Sequence, residues 1–407
     1  MKSWGKLLLL VIGCLLSGVL TYTQGGLASW FLLDCLLIVL LQAVLVYTVA
    51  LKGLQASRSL SAPISTSGED LVIVLHITHR SPIPLPWFII KESWLHEGSH
   101  AKFTYRKLLF PWFRTSFTLH YRITGLMRGV YRFAGLEVVT GDLFGFAVKK
   151  AQRTDHQRCI VYPKPDALDR AVMTLHAEDG DKPAAGVPWA TAPRVGGVRD
   201  YVSGDPYHRI HWKSTAKLSR LMTKAPEQAS AVKRMLLLDT TPAPAATPAE
   251  AAQPLLEKGV ALAAGFFAAA ARGRESCGFA SSSAGAGRIA PAIRPDLTLA
   301  YEVLASVGGK AALTFPDLVR KEAAALPPDA SMLCITSTLD AVLLRAIAEA
   351  RSRRRAVHVI YVHARPSLSV ADREGASQLQ ALGCSFTEIP HPRNEWPKQG
   401  GVADATA

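Results

Sequence analysis

From Leu7 to Tyr22 the chain reads LLLLVIGCLLSGVLTY, and from Leu27 to Leu51 it reads LASWFLLDCLLIVLLQAVLVYTVAL. The first run carries no charge and the second only Asp34, so each is apolar enough to cross a bilayer as a helix. Only Thr-Gln-Gly-Gly separates them, which makes the pair a hairpin. Trp4 and Tyr22 stand where interfacial anchors belong. Lys2 and Lys6 precede the hairpin, Lys52 and Arg58 follow it, and the connection has no basic residue. By the positive-inside rule both ends face the cytoplasm. A cleaved signal peptide is the competing reading, with Val11-Ile12-Gly13-Cys14 as its lipoprotein-like box. The apolar run continues past Cys14 into a second span, which a signal peptide does not do. Asp34 is expected as an interfacial carboxylate near the outer end of its helix.

Outward from this hairpin, 407 residues leave room for two or three globular units. With 49% hydrophobic and 19% charged residues, neither a disordered chain nor a many-pass membrane protein fits the whole length. The net charge is +14, and residues 61–165 hold its largest share, an excess of +7. An anionic surface is the natural neighbour of that segment. The six cysteines are scattered without a C-x-x-C pair and are expected as buried thiols.

Short alternating runs at Asp70–Ser81, Trp87–Leu95, Ser116–Ile123 and Val130–Val139, punctuated by Pro and Gly, predict an antiparallel, immunoglobulin-like β-sandwich over 59–165. Trp87, Phe88, Trp94, Trp112 and Phe113 are expected in its core. Lys102, Arg106, Lys107 and Arg114 flank Leu108–Phe113, which suits either a solvated loop or lipid headgroups. Residues 166–231 combine an Ala/Gly/Pro-rich linker with a denser segment. From 232 to 390 strands alternate with longer helical patterns, which implies a mainly parallel sheet covered on both faces. Residues 391–407 are expected as a disordered tail.

The dense segment, Val198–Lys224, reads VRDYVSGDPYHRIHWKSTAKLSRLMTK. A Gly204-Asp205-Pro206 turn precedes a mixture of apolar and charged side chains, the pattern of an ionic seam in which Asp205 pairs with Arg199 or Arg209 and Trp212 packs between domains. Arg199, Tyr201, Gly204, Asp205, Arg209, Ile210, His211, Trp212, Lys213, Ser214 or Thr215, and Ala216 reproduce a pattern that resembles the bacterial "domain of unknown function 58" (DUF58) family. Arg128–Tyr131, Thr140–Phe146 and Val161–Pro163 resemble its upstream pieces.

The resemblance implies a membrane-anchored protein of the bacterial plasma membrane, its soluble domains cytoplasmic. Its C-terminal part would be an α/β, Rossmann-like domain similar to the von Willebrand factor type A domain. Such proteins are commonly encoded beside MoxR-type AAA+ ATPases, often with a transglutaminase-like membrane protein, and an adaptor role follows. The signature then serves as a docking face.

Hidden chemistry is the remaining question. A type A domain can hold Mg²⁺ through a D-x-S-x-S loop, and here Asp239 and Thr241 could supply the acid and first hydroxyl, while Ala243 offers no oxygen. Asp205, His208 and His211 are spaced as three possible zinc ligands of a metal-dependent hydrolase, although Ile210 and Trp212 favour a strand that would divide the histidines between faces. Ser281–Gly287 lacks the Lys-Ser/Thr of a P-loop. The basic run Arg351–Arg355 suits a helix C-terminus better than nucleic acid. The expectation is therefore no catalytic activity, no nucleic acid and no cofactor. A third reading is an envelope structural protein that binds lipid headgroups through its sandwich.

Overall fold

A computed structural model describes residues 3–166, 195–202, 207, 210–226, 233–241, 252–273, 275–285, 287–293, 295–308, 311–327, 330–353, 355–392 and 400–404. The chain divides into two units, 1–164 with 397–407, and 165–396.

The first unit opens with helices α1 (Ser3–Gln24) and α2 (Leu27–Val49). Gly25 and Gly26, at φ 54° and 124°, turn the chain between them. Thr21 donates to Ser17 O and to Ser29 O across the turn. Both helices are long and apolar enough to cross a membrane, and they expose Leu8, Ile12, Leu16, Phe31 and Ile38. Cys35 is exposed among them, in contrast to the other five cysteines, which are buried as expected.

The sandwich that follows is made of β1 (Gln55–Leu60), β2 (Ile64–Thr66), β3 (Leu71–Thr78), β4 (Phe88–His96), β5 (Lys102–Leu109), β6 (Ser116–Thr124), β7 (Gly129–Gly141), β8 (Val148–Arg153) and β9 (Arg158–Tyr162). One sheet runs β1-β3-β6 and the other β2-β9-β7-β4-β5, with β8 beside β7. Leu71, Ile73, Leu75 and Ile77 alternate into the core from β3, the period of two that a half-buried strand requires. Trp94 lies at the centre and donates to Tyr121 Oη at 2.9 Å. Phe88 joins this core, whereas Trp112 and Phe113 do not: they stand exposed in the β5–β6 loop, because Leu85 and Trp112 pair through their backbones and leave the ring outside.

Two strands differ from the sequence reading. Lys102–Leu109 forms edge strand β5, in which Phe103, Tyr105 and Leu109 turn inward while Lys102 and Arg106 face water. Lysine on an edge strand blocks further pairing, and it also disguises the strand in sequence. The C-terminal residues are not wholly a tail, since β18 (Gly401–Asp404) pairs antiparallel with β6 and covers its open edge. Tyr105 Oη and Lys107 Nζ both donate to the Asp404 carboxylate, and the lysine bond holds its pKa below the ordinary range.

Arg58, a flanking charge in the sequence, lies inside the sandwich. It is paired with Glu92, bonded to Gln157 at 3.2 Å and stacked 3.6 Å from the Phe133 ring centre. Burial raises the Glu92 pKa, and the guanidinium opposes that shift. Removing one partner of a buried pair costs about 3–5 kcal/mol, whereas replacing both by apolar groups is often neutral. Glu92→Ala should therefore accelerate hydrogen exchange across β3, β4 and β6, and Arg58→Met with Glu92→Leu should restore most of the protection.

In the second unit, β10 (Val195–Asp200) and β11 (Met222–Pro226) form an antiparallel pair with α3 (Trp212–Leu218) between them in sequence. The main sheet contains β12 (Lys233–Leu238), β13 (Ser276–Ser281), β14 (Ile289–Ile293), β15 (Ser331–Thr336), β16 (Ala356–His363) and β17 (Ser385–Pro390). Its order is β14-β13-β12-β15-β16-β17, parallel except for β14. Helices α4 (Ala252–Gly273) and α5 (Leu297–Ser306) pack with Leu236, Leu238, Phe279 and Ile335 on one face. Helices α6 (Phe315–Ala325), α7 (Ala341–Ser352) and α8 (Val370–Ala381) pack with Met235, Leu237, Met332 and Val359 on the other. The run of buried residues through β16 reflects cover on both faces. Helix α4 is long and apolar enough to cross a membrane, yet Val260, Leu262, Phe266 and Phe267 are spent on the sheet. Gly259 makes its close approach possible, since a Cβ there would lie 3.1 Å from Leu238.

His79 links this architecture to pH. Its ring is buried against Phe88 and Phe117; Nε2 contacts Arg114 O at 3.0 Å, and Nδ1 accepts from Ser81 N–H. That arrangement suits the neutral ring, and burial lowers its pKa from 6.5. A base with a depressed folded pKa contributes its full stability above the unfolded value and loses it as pH falls below that value. Amide exchange at 110–116, corrected for intrinsic rate, should quicken below pH 6.5, and His79→Gln should flatten the response.

Candidate functional site

Two places in the second unit gather polar chemistry. The first lies where the strand order reverses between β12 and β15, the position at which open α/β sheets form a crevice beyond their carboxyl ends. Asp239 follows β12 directly and its amide bonds Ile335 O at 2.9 Å. Its Oδ1 accepts from the Thr241 amide and hydroxyl. Its Oδ2 accepts from Thr336 Oγ1 at 2.7 Å and Thr338 Oγ1 at 3.3 Å. Next to it, Thr240 N–H donates to Ser282 Oγ at 2.8 Å and fastens β12 to the end of β13. The cleft is closed from the side by Leu255, Gly259 and Val362.

Asp239 is only 6% exposed. Desolvation raises its pKa, and the hydroxyl bonds of Thr241 and Thr336 pull it back. The sequence singles out Asp239 and Thr241, and the structure brings them together. Thr336, Thr338 and Ser282 complete the cluster, and strand order brings them to it, since Thr336 is 97 residues from Asp239. For a hard cation the described donors here are one carboxylate and hydroxyls, all oxygen, as magnesium prefers. Ala243 lies outside the described residues. Among the described residues no group of three His, Cys, Asp or Glu side chains could hold a metal ion.

The second place is the signature segment. Gly204, Asp205, His208 and Arg209 lie outside the described residues, as does the side chain of Arg199, so neither the expected ionic seam nor the Asp205, His208, His211 triad is on view. The remainder is a helix start rather than the expected strand. His211 caps α3, its Nδ1 accepting from Ser214 N–H at 3.1 Å. Its amide bonds Met222 O, and Thr215 Oγ1 accepts from Met222 N–H, so α3 is strapped to β11. Ile210 is buried and bridges to Thr223, while Lys213 and Ala216 face out. Trp212 opens α3 and is 67% exposed, so it does not take the packed position expected of it. Tyr207 is also exposed, its ring 6.1 Å from that of Tyr201.

Residues 197–324, from the β10–β11 pair through α6, match the family model described as "Protein of unknown function DUF58". The residues that carry the DUF58 resemblance, Arg199 to Ala216, fall inside this match. Within the curated proteins, the "Uncharacterized protein YeaD" of Bacillus subtilis (strain 168) is 31% identical over 251 residues. The match covers 58% of this chain and 62% of YeaD, so it spans less than two thirds of that relative. Among solved structures, the CARDB domain of a Pyrococcus furiosus protein is similar at 12% identity and a TM-score of 0.18, over 28% of this chain and 91% of that one. The alkylpurine DNA glycosylase AlkC of Pseudomonas fluorescens is similar at 8% identity and a TM-score of 0.20, over 35% and 42% of the two chains. Likenesses this slight bear on neither fold nor chemistry.

Asp239→Ala would leave buried hydroxyls without their acceptor, a loss of about 1–3 kcal/mol. Asp239→Asn, which keeps an acceptor and removes the buried charge, should cost less. Hydrogen exchange at the ends of β12 and β15 separates the two outcomes.

Proposed function

We propose that this DUF58 protein is a membrane-anchored adaptor that docks a MoxR-type AAA+ ATPase through its signature segment. The observation that carries the reading is the exposure of Tyr207 and Trp212, with Val202 and Leu221, inside that segment. Large aromatic side chains presented to solvent together mark a surface that another protein covers, and tryptophan and tyrosine are the residues that dominate such contacts.

In this proposal α1 and α2 cross the bacterial plasma membrane twice, with both termini and both folded units in the cytoplasm. Lys2, Lys6 and Lys52 at the open end of the hairpin, against none in its turn, support that orientation. The second unit is taken as a von Willebrand factor type A-like domain. Its support is the strand order, the antiparallel edge strand β14, and a lone acid surrounded by hydroxyls at the strand ends. The role is protein–protein adaptation without catalysis, and a transglutaminase-like membrane protein is a further candidate partner.

The test is crosslinking co-purification from native membranes with the captured proteins identified by mass spectrometry. Trp212→Ala together with Tyr207→Ala should lower recovery of a AAA+ ATPase by about tenfold or more, the scale of losing a hot spot. The protein's own level in the membrane should stay unchanged. Equal recovery with the variant, or no ATPase with wild type, would overturn the proposal.

A further inference from the structure

The register of the sandwich brings three connections to one end of it. Gln55 pairs with Thr78 and Thr78 with Ser116 in one sheet, while Phe88 pairs with both Leu109 and Thr140 in the other, and Gly141 with Val148. The connections 79–87, 110–115 and 142–147 therefore emerge side by side. The membrane hairpin joins at this same end. Arg80 N–H donates to Lys52 O just after α2, and Val46, Ala50, Leu51 and Leu54 belong to the sandwich core.

The connection 142–147 touches the hairpin directly. Phe146 packs with Leu10 and Ala43, Lys6 Nζ reaches Gly145 O at 3.3 Å, and Lys149 Nζ reaches Thr48 O at 3.1 Å. It is a built turn. The buried Asp142 accepts from Ala147 N–H at 2.6 Å and Phe144 N–H at 3.1 Å, and Trp87 Nε1 donates to Asp142 O. Gly141 leaves no space for a side chain, since a Cβ would stand 2.6 Å from both the Trp87 ring and Ala147 O. The turn thus holds Leu143 and Phe144 outward, while the neighbouring connection holds out Phe110, Trp112 and Phe113, and Leu108 at the end of β5 joins them. All six are between 51% and 80% exposed.

Six large apolar side chains at one end of a water-soluble sandwich demand a cover. The surrounding charge says which. Lys52, Arg80, Arg106 and Arg114 are exposed around this end, and Asp142, the one acid in the three connections, is turned inward. Aromatic rings with a basic rim, continuous with two membrane helices, have the composition of an interfacial belt.

We infer that the connections 110–115 and 142–147 form a foot that enters the headgroup and upper acyl layer of the bilayer beside α1 and α2. The sandwich is thereby fixed on the membrane by its end as well as by its tether. This rests on α1 and α2 being embedded, part of the adaptor reading, and extends it to the orientation of the soluble body.

The test places a photo-crosslinking amino acid, p-benzoylphenylalanine, singly at Phe113, Phe144, Phe31 and Ile64 of the full chain, irradiates native membranes and identifies adducts by mass spectrometry. Phe31 is exposed on α2, and Ile64 is exposed at the far end of the sandwich. Phospholipid adducts are expected at 113, 144 and 31 and not at 64. Adducts at 31 alone would overturn the foot and leave the anchor standing. Polypeptide adducts at 113 and 144 would overturn it in favour of a protein cover, and lipid adducts at all four positions would overturn it as unspecific. No lipid at 31 would remove the anchor, and the foot with it.

Discussion

Everything in the first unit depends on how the second apolar helix, α2, ends. A transmembrane helix joined to a soluble domain by a flexible linker leaves the domain free to tumble. Here no linker intervenes. Val46 is still helical, Ala50, Leu51 and Leu54 follow, and all four lie in the cluster that contains Trp94 and Tyr121. Leu51 takes a left-handed φ of 61°, an uncommon conformation for a leucine, and it is held by burial of its side chain. One apolar core is thus continuous with the end of a helix apolar enough to cross a membrane, so pulling the helix would load the sandwich directly.

That constraint explains the polar interior. A sandwich bound at one end needs its two sheets fixed in relation to each other, and Arg58 does this from β1 to Glu92 on β4, with Phe133 of β7 under the guanidinium. Buried pairs are a costly way to gain stability, and one documented use is to select a single arrangement among apolar alternatives. The same logic applies at the strand ends of the second unit, where Asp239 ties its own loop to a distant segment: Thr241 beside it, Thr336 at the end of β15 and Thr338 beyond it converge on one carboxylate.

Much of this was legible in the sequence, for stated reasons. The membrane helices, β3, β4, β12, β15, β16 and the helices α4, α7 and α8 announce themselves through unbroken or periodic apolar runs. What stayed hidden did so because its determinants are non-local. Strand β13, SCGFAS, has small side chains and little strand propensity. It is a strand because it lies between β12 and β14, with Gly278 admitting the backbone of Pro291. Strand β18, GVAD, has nothing to announce it until β6 offers an edge. His211 reads as a polar strand residue in preference to a metal ligand, and only the backbone of Ser214 shows it to be a cap. Asp239 and Thr241 could be found because they stand in the spacing of the type A loop, whereas the bonds that Thr336 and Thr338 make to Asp239 required the topology.

The piece Thr140-Gly141-Asp142-Leu143-Phe144-Gly145-Phe146 shows how one short sequence can serve structure and function at once. Gly141 and Asp142 are needed to close the turn, and the consequence of closing it is to send Phe146 towards the helices and Phe144 away from them. A looser loop could bury Leu143, Phe144 and Phe146 together against the sandwich, which is the outcome the hydrophobic effect favours in water. The turn forbids that collapse. Keeping Leu143 and Phe144 exposed is unfavourable in solution, and a bilayer against this end reverses the sign of that term. Membrane insertion and folding of the sandwich then favour the same arrangement, and the turn is the element through which they are coupled.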